Sequence, residues 1–155
     1  MSIKDFEELE AMKLDYLKHC FESAQKDLDN GKTVDGATFL NTLWLGVYLG
    51  MQNKQYKLSQ LAQEHLLKIR NYTIENFAQA QWLKYKSTLL SGFQTLADNP
   101  ELGKSCEDIY KNGFYFPVGK HMAYYTKEAD FILIVAVLGQ SQLPQKHLTQ
   151  SRFVS

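Results

Sequence analysis

Arginine is scarce in this chain: Arg70 and Arg152 are the only two among its 17 cationic side chains. Guanidinium is the group suited to gripping phosphates in pairs, so an arginine-lined phosphate cleft is not encoded. Cysteine is scarce too. Cys20 and Cys106 stand alone, without the paired spacing of a disulfide framework or a zinc knuckle, which points to a reducing cytoplasm. No apolar run approaches the roughly 20 residues needed to span a bilayer, the longest being Phe131 to Leu138. Asp5, Glu7, Glu8 and Glu10 make the N-terminus wrong for a secretory signal. A glycine-rich phosphate loop, a Ser-His-Asp order and a metal-ligand cluster are also missing.

The formal net charge is zero, but the charges are divided. Residues 1 to 50 carry five Lys against nine Asp or Glu, and residues 51 to 155 carry twelve Lys or Arg against eight. The change of sign falls at Met51-Gln52-Asn53-Lys54-Gln55, a start-like block, as though two polypeptides had been joined there. Opposite charge on two parts favours their encounter and says nothing about fold. A 45% apolar composition and 155 residues allow one core of about 100 residues with an attached segment.

In the acidic part, Ile3, Phe6, Leu9, Lys13 and Tyr16, followed by Leu17, Phe21, Ala24 and Leu28, recur at three-and-four spacing. This predicts a long amphipathic helix. Ser2 with Asp5 resembles a capping box, and Asn30-Gly31 supplies a left-handed stop. Thr33-Val34-Asp35-Gly36 reads as a turn, and Ala37 to Leu43 as a second, short apolar element. One helical stripe cannot bury itself, so this segment is expected to dock on the rest of the chain or on another copy. Trp44 to Gly50 is a joining strand or a linker.

In the basic part, Tyr56-Lys57-Leu58 is a short strand candidate and Ser59 a good helix cap. Leu61, Ala62, His65, Leu66, Ile69 and Tyr72 form one helix face. Leu83, Leu89, Leu90, Phe93 and Leu96 form a second, ended by Asn99-Pro100. The two helices read as an antiparallel hairpin. Beyond Gly103 the period becomes that of strands: Phe114 to Val118, Met122 to Tyr125 and Phe131 to Leu138, with hairpin-length separators at Asn112-Gly113, Val118-Gly119-Lys120 and Lys127 to Asp130. These three strands should run antiparallel. The unbroken apolar last strand suits a centre covered on both faces, one by the hairpin and the other by the N-terminal helix.

Four blocks in this order resemble the ParE/RelE toxin superfamily, on its ParE branch. They are Tyr56 to Ala62, Leu96 to Lys104, Phe116-Pro117-Val118-Gly119-Lys120-His121 with Tyr124-Tyr125, and Pro144 to Leu148. Leu14 to Leu43, with Lys-x-Val-Asp-Gly-like residues before Phe39-Leu40, is similar to the toxin-binding C-terminal part of ParD-like antitoxins. The DNA-binding domain such antitoxins usually carry is not in it, so no operator binding is implied. The resemblance implies an α+β fold, a helical hairpin on a small antiparallel sheet with an antitoxin helix docked on it. It divides the chain into an antitoxin-like segment (1–43), a linker (44–50) and a toxin domain (51–155).

The function implied is that of a cytoplasmic DNA gyrase poison, a binding toxin without catalytic residues, metal or cofactor, held by its own fused antitoxin segment within one chain or in an exchanged dimer. The contacts expected between segment and toxin are Phe6, Leu9, Leu17, Phe21, Leu28, Val34, Phe39 and Leu40. Lys104, Lys111 and Lys120 are the candidates for target binding. Two alternatives stand beside it. A RelE-type ribosome-dependent mRNA nuclease would need cations and a proton-transfer group, to which Lys104, Lys111, Lys120, His121, Tyr125 and His147 are the possible contributors. A toxin-fold remnant would only bind partners. After the last strand the ParE family shows a His-Gly-Arg-like stretch where this chain has Gly139-Gln140-Ser141-Gln142.

Overall fold

A computed structural model of the chain describes residues 3–42 and 56–139, with side chains described from residue 11 onward. Ser2, Trp44 to Gly50, the residues after Gly139, and the side chains of Phe6 and Leu9 lie outside the described residues.

The periodic apolar stripe of the acidic part becomes helix α1, Ile3–Asp29. Gly31, at φ +69, ends it. Lys32 N–H donates to the Asp27 carbonyl (2.8 Å) and Gly31 N–H to the Leu28 carbonyl (3.3 Å), the paired bonds of a Schellman motif. The Thr33 to Gly36 stretch is not merely a turn. Val34–Asp35 is a two-residue strand, β1, followed by α2, Gly36–Thr42. Extended β-branched Val34 finds a ladder partner that sequence spacing could not reveal: Val34 faces Leu58 across an antiparallel pair.

Strand β2, Tyr56–Leu58, leads into α3, Gln60–Phe77, with Ser59 as the expected N-cap accepting from Ala62 N–H at 3.0 Å. A single residue, Ala78 at φ 80, separates α3 from α4, Gln79–Asp98, so the two helices form the expected hairpin. Asn99 and a 3-10 turn at Pro100–Leu102 stop α4. Then come β3 (Lys104–Ser105), β4 (Gly113–Val118), β5 (His121–Lys127) and β6 (Ile132–Gly139).

The sheet has six strands in the order β1-β2-β6-β5-β4-β3. The pairs β3–β4, β4–β5 and β5–β6 are antiparallel, as the short separators require. The pair β2–β6 is parallel, which makes the sheet mixed and not purely antiparallel. A long crossover through both helices of the hairpin makes that geometry possible.

Strand β6 is buried along its whole length, as its unbroken apolar sequence leads one to expect. Ile132, Ile134 and Val137 face the hairpin, in a core with Leu66, Trp82, Leu89 and Phe93. Leu133, Val135, Ala136 and Leu138 face α1, in a second core with Leu17, Cys20, Phe21 and Ala24. Two successive residues, Val135 and Ala136, share one face because the β5–β6 register shifts between Tyr124 and Tyr125. This bulge widens the apolar platform under α1.

Candidate protein interface

The N-terminal segment grips the sheet on both faces and at its edge. On one face Leu17, Cys20 and Ala24 are fully buried and Phe21 is 1% exposed. Phe21 stacks on Tyr110 (centroids 5.0 Å apart, planes 10° apart) and presents its edge to Tyr124 (6.5 Å, 87°). At the edge, β1 pairs with β2 and covers backbone groups that would otherwise be open to another chain. On the other face α2 buries Leu40 in the hairpin core, with Val34, Ala37 and Phe39 packed around it. Gly36 lies flat on the Tyr56 ring, where any Cβ would collide.

Of the contacts expected for the segment, Leu17, Phe21 and Leu40 are therefore buried, and Leu28, Val34 and Phe39 are partly buried against the two cores. Each fully buried large side chain contributes about 2 kcal/mol of transfer free energy.

Two polar contacts accompany the apolar ones, and both end on α3. Asp27, 8% exposed, accepts Gln60 N–H on Oδ2 (2.8 Å) and Gln60 Nε2 on Oδ1 (3.3 Å). His65, 7% exposed, accepts Val137 N–H on Nδ1 at 3.2 Å. Its Nε2 lies 2.8 Å from Tyr16 Oη. A backbone N–H can only donate, so Nδ1 is unprotonated and Nε2 carries the hydrogen offered to Tyr16. Burial, reinforced by Lys68, pulls the His65 pKa down to about 4, which keeps the ring neutral. Burial pushes the thiols of Cys20 and Cys106 up to about 12, so neither is a poised nucleophile.

The three candidate target-binding lysines are exposed but not gathered. Lys104 lies on edge strand β3, opposite Tyr115. Lys111 precedes β4, and Lys120 occupies the β4–β5 turn at the far end of that hairpin. The five residue steps of β4 separate those ends by about 17 Å.

The side chains that a nuclease would draw on are committed elsewhere. Tyr125 is fully buried, donates to the Pro100 carbonyl at 2.5 Å and accepts Gly103 N–H at 3.1 Å, tying the 3-10 turn to the sheet. His121 Nδ1 meets Tyr85 Oη at 2.5 Å, and Lys120 N–H donates to the same oxygen at 2.9 Å. Burial lowers the His121 pKa to about 4. Gly119, at φ +61, closes this turn with Tyr85 directly beneath it. His147 lies outside the described residues. Among the described residues no group of His, Cys, Asp or Glu is arranged to hold a metal ion.

Reading the sequence alone misses Asp27, and it places Tyr16, His65 and Tyr85 on helix faces without revealing their polar partners. The one available signal was a polar residue on an otherwise apolar helical stripe: Asp27 follows Ala24 by three, and His65 sits between Ala62 and Leu66.

The family model described as "ParE toxin of type II toxin-antitoxin system, parDE" matches residues 56–144. The chain belongs to the ParE toxin family. The match begins at the first residue of β2 and leaves the N-terminal segment outside it. Among solved structures, one chain described as "Chromosomal ParDE TA system from P. aeruginosa" is similar at 13% identity and a TM-score of 0.47, over 54% of this chain and 91% of that one. No curated protein matches the chain. Among the described residues no helix of this ParE-family chain is long and apolar enough to cross a membrane.

Proposed function

We propose that the chain is a ParE-type toxin carrying its own neutralising segment: a ParD-like antitoxin segment at 1–43, a linker at 44–50 and a toxin domain at 51–155. The toxin domain acts by binding DNA gyrase, without catalysis and without a cofactor. The observation that carries this reading is the wrap of residues 3–42 around β2 and both faces of the sheet, outside the part that matches the toxin family. A segment whose partner surface lies on the same chain meets it at an effective concentration of about millimolar for a short flexible linker. The expected segment contacts are Phe6, Leu9, Leu17, Phe21, Leu28, Val34, Phe39 and Leu40, and Lys104, Lys111 and Lys120 are candidates for the target side.

The test is gyrase supercoiling and DNA cleavage with the full chain, with residues 51–155, and with a full-length Leu17→Asp/Phe21→Asp double variant. The full chain is expected to be silent and the released forms inhibitory. Silence from released forms that circular dichroism shows to be folded would overturn the gyrase target and direct the assay to ribosome-bound mRNA.

A further inference from the structure

Helix α3 has 18 residues and no acidic side chain in its first turn, which reads Gln60-Leu61-Ala62-Gln63. Its N-terminal N–H groups and the partial positive charge of that end need acceptors. Ser59 supplies one locally, through Oγ to Ala62 N–H. The second comes from 33 residues upstream, where Asp27 of α1 accepts Gln60 N–H. Among the described residues Asp27 forms no ion pair, so its buried charge is balanced by the helix end and by the Gln60 amide. A buried charge is a poor way to gain stability and a good way to fix register.

Register is what the apolar stripe leaves open. Apolar contacts are not directional, so Leu17, Phe21 and Ala24 on Leu133, Val135 and Ala136 set the register of α1 less sharply than a hydrogen bond does. Asp27 and Tyr16 are 11 residues apart, three turns along one face of α1, and both contact α3. A one-turn slip would put Ser23 or Gly31 at the α3 N-terminus, and Met12 or Cys20 at His65.

We infer that Asp27 is the specificity-determining residue of the N-terminal segment, a positioning carboxylate that latches α1 to the N-terminus of α3, with Tyr16 on His65 as the second point of the latch. The inference deepens the proposed neutralisation and rests on it for its biological meaning; the contact has its own readout. The chemistry is an acid on the segment meeting an amide on the domain, so it can be exchanged across the interface.

The experiment measures hydrogen exchange of α1 and of the first turn of α3 in the full-length protein for Asp27→Asn, Gln60→Glu and the double variant. Asp27→Asn removes the charge that complements the helix end. Gln60→Glu sets two carboxylates against each other. Each is expected to raise α1 exchange about tenfold, the scale of one lost capping interaction. The double variant restores an acid–amide pair with the acid now on the helix itself, and is expected to return within about threefold of the parent. Unchanged exchange in Asp27→Asn, or single effects that simply multiply in the double variant, would overturn the latch. Gyrase inhibition measured alongside separates the two ideas. Raised exchange in the single variants, reversed in the double variant, keeps the latch whatever gyrase does, whereas silence of the folded, released Leu17→Asp/Phe21→Asp variant removes the gyrase reading alone.

Discussion

At the scale of single residues, the interior is mostly apolar, and its polar atoms are informative one by one. Among the described residues the buried Tyr56 Oη and Trp82 Nε1 have no hydrogen-bond partner. An unpaired buried hydroxyl costs stability, so Tyr56→Phe is expected to leave thermal stability unchanged or to raise it by up to about 1 kcal/mol, read as Tm. His65 and His121 carry a different consequence. Both titrate near pH 4 in the folded protein, below the ordinary value of 6.5, because burial disfavours their charged forms. The unfolded chain takes up these protons as pH falls from about 6.5 to 4 and the folded chain does not, so stability from this source is complete above pH 6.5 and declines across that window. Each histidine adds a slope of at most about 1.4 kcal/mol per pH unit. His65→Asn, whose amide oxygen can still accept Val137 N–H, is expected to flatten denaturant-derived stability against pH by about one proton. An unchanged slope would contradict the neutral, buried histidine.

At the scale of elements, the close seats are between helices and sheet. Gly92 of α4 lies against Val118, so that an added Cβ would fall on that side chain. Gly92→Ala gains helix propensity but forces α4 off β4. A net loss of about 1–3 kcal/mol is expected in denaturant unfolding, and a neutral result would mean that the turn yields. On the opposite face Phe21 joins α1 to Tyr110 and Tyr124. Phe21→Ala is expected to cost about 3–5 kcal/mol and to release α1 before the rest of the fold, visible as early hydrogen exchange confined to that helix. The boundaries of these elements were largely readable. Ser59, Asn30-Gly31 and Asn99-Pro100 stop or start helices through local backbone chemistry that needs no tertiary partner. Val34–Asp35 reads as a turn because two residues carry no period, and only pairing with β2 makes them a strand.

At the scale of the whole molecule, the N-terminal segment completes a layered structure, with α1 on one face of the sheet and the helical hairpin and α2 on the other. Removing it would bare Leu133, Val135, Ala136 and Leu138 together with the platform around Tyr124. Residues 51–155 alone are therefore expected to self-associate or to bind a hydrophobic dye unless a partner covers that face, as light scattering across a concentration series would show. A monodisperse, dye-silent domain would mean that the sheet closes over itself.

The sequence was enough to establish the class of fold, the hairpin, the three antiparallel strands, the two-faced burial of β6 and the likeness to the ParE toxins. The likeness rests on four blocks of residues that resemble the family, and the other features on periodicity, turn chemistry and composition, which act over a few residues at a time. Tertiary structure alone decided the parallel seat of β2 beside β6, the bulge that turns Val135 and Ala136 to one face, and the meeting of Asp27 with Gln60 and of Tyr16 with His65. It also decided that His121 and Tyr125 serve as ties within the fold. The physical reason is the same in each case: contacts between residues from 9 positions apart at the bulge to 76 between β2 and β6 are fixed by how whole faces pack, and no local pattern encodes which groups will arrive opposite one another.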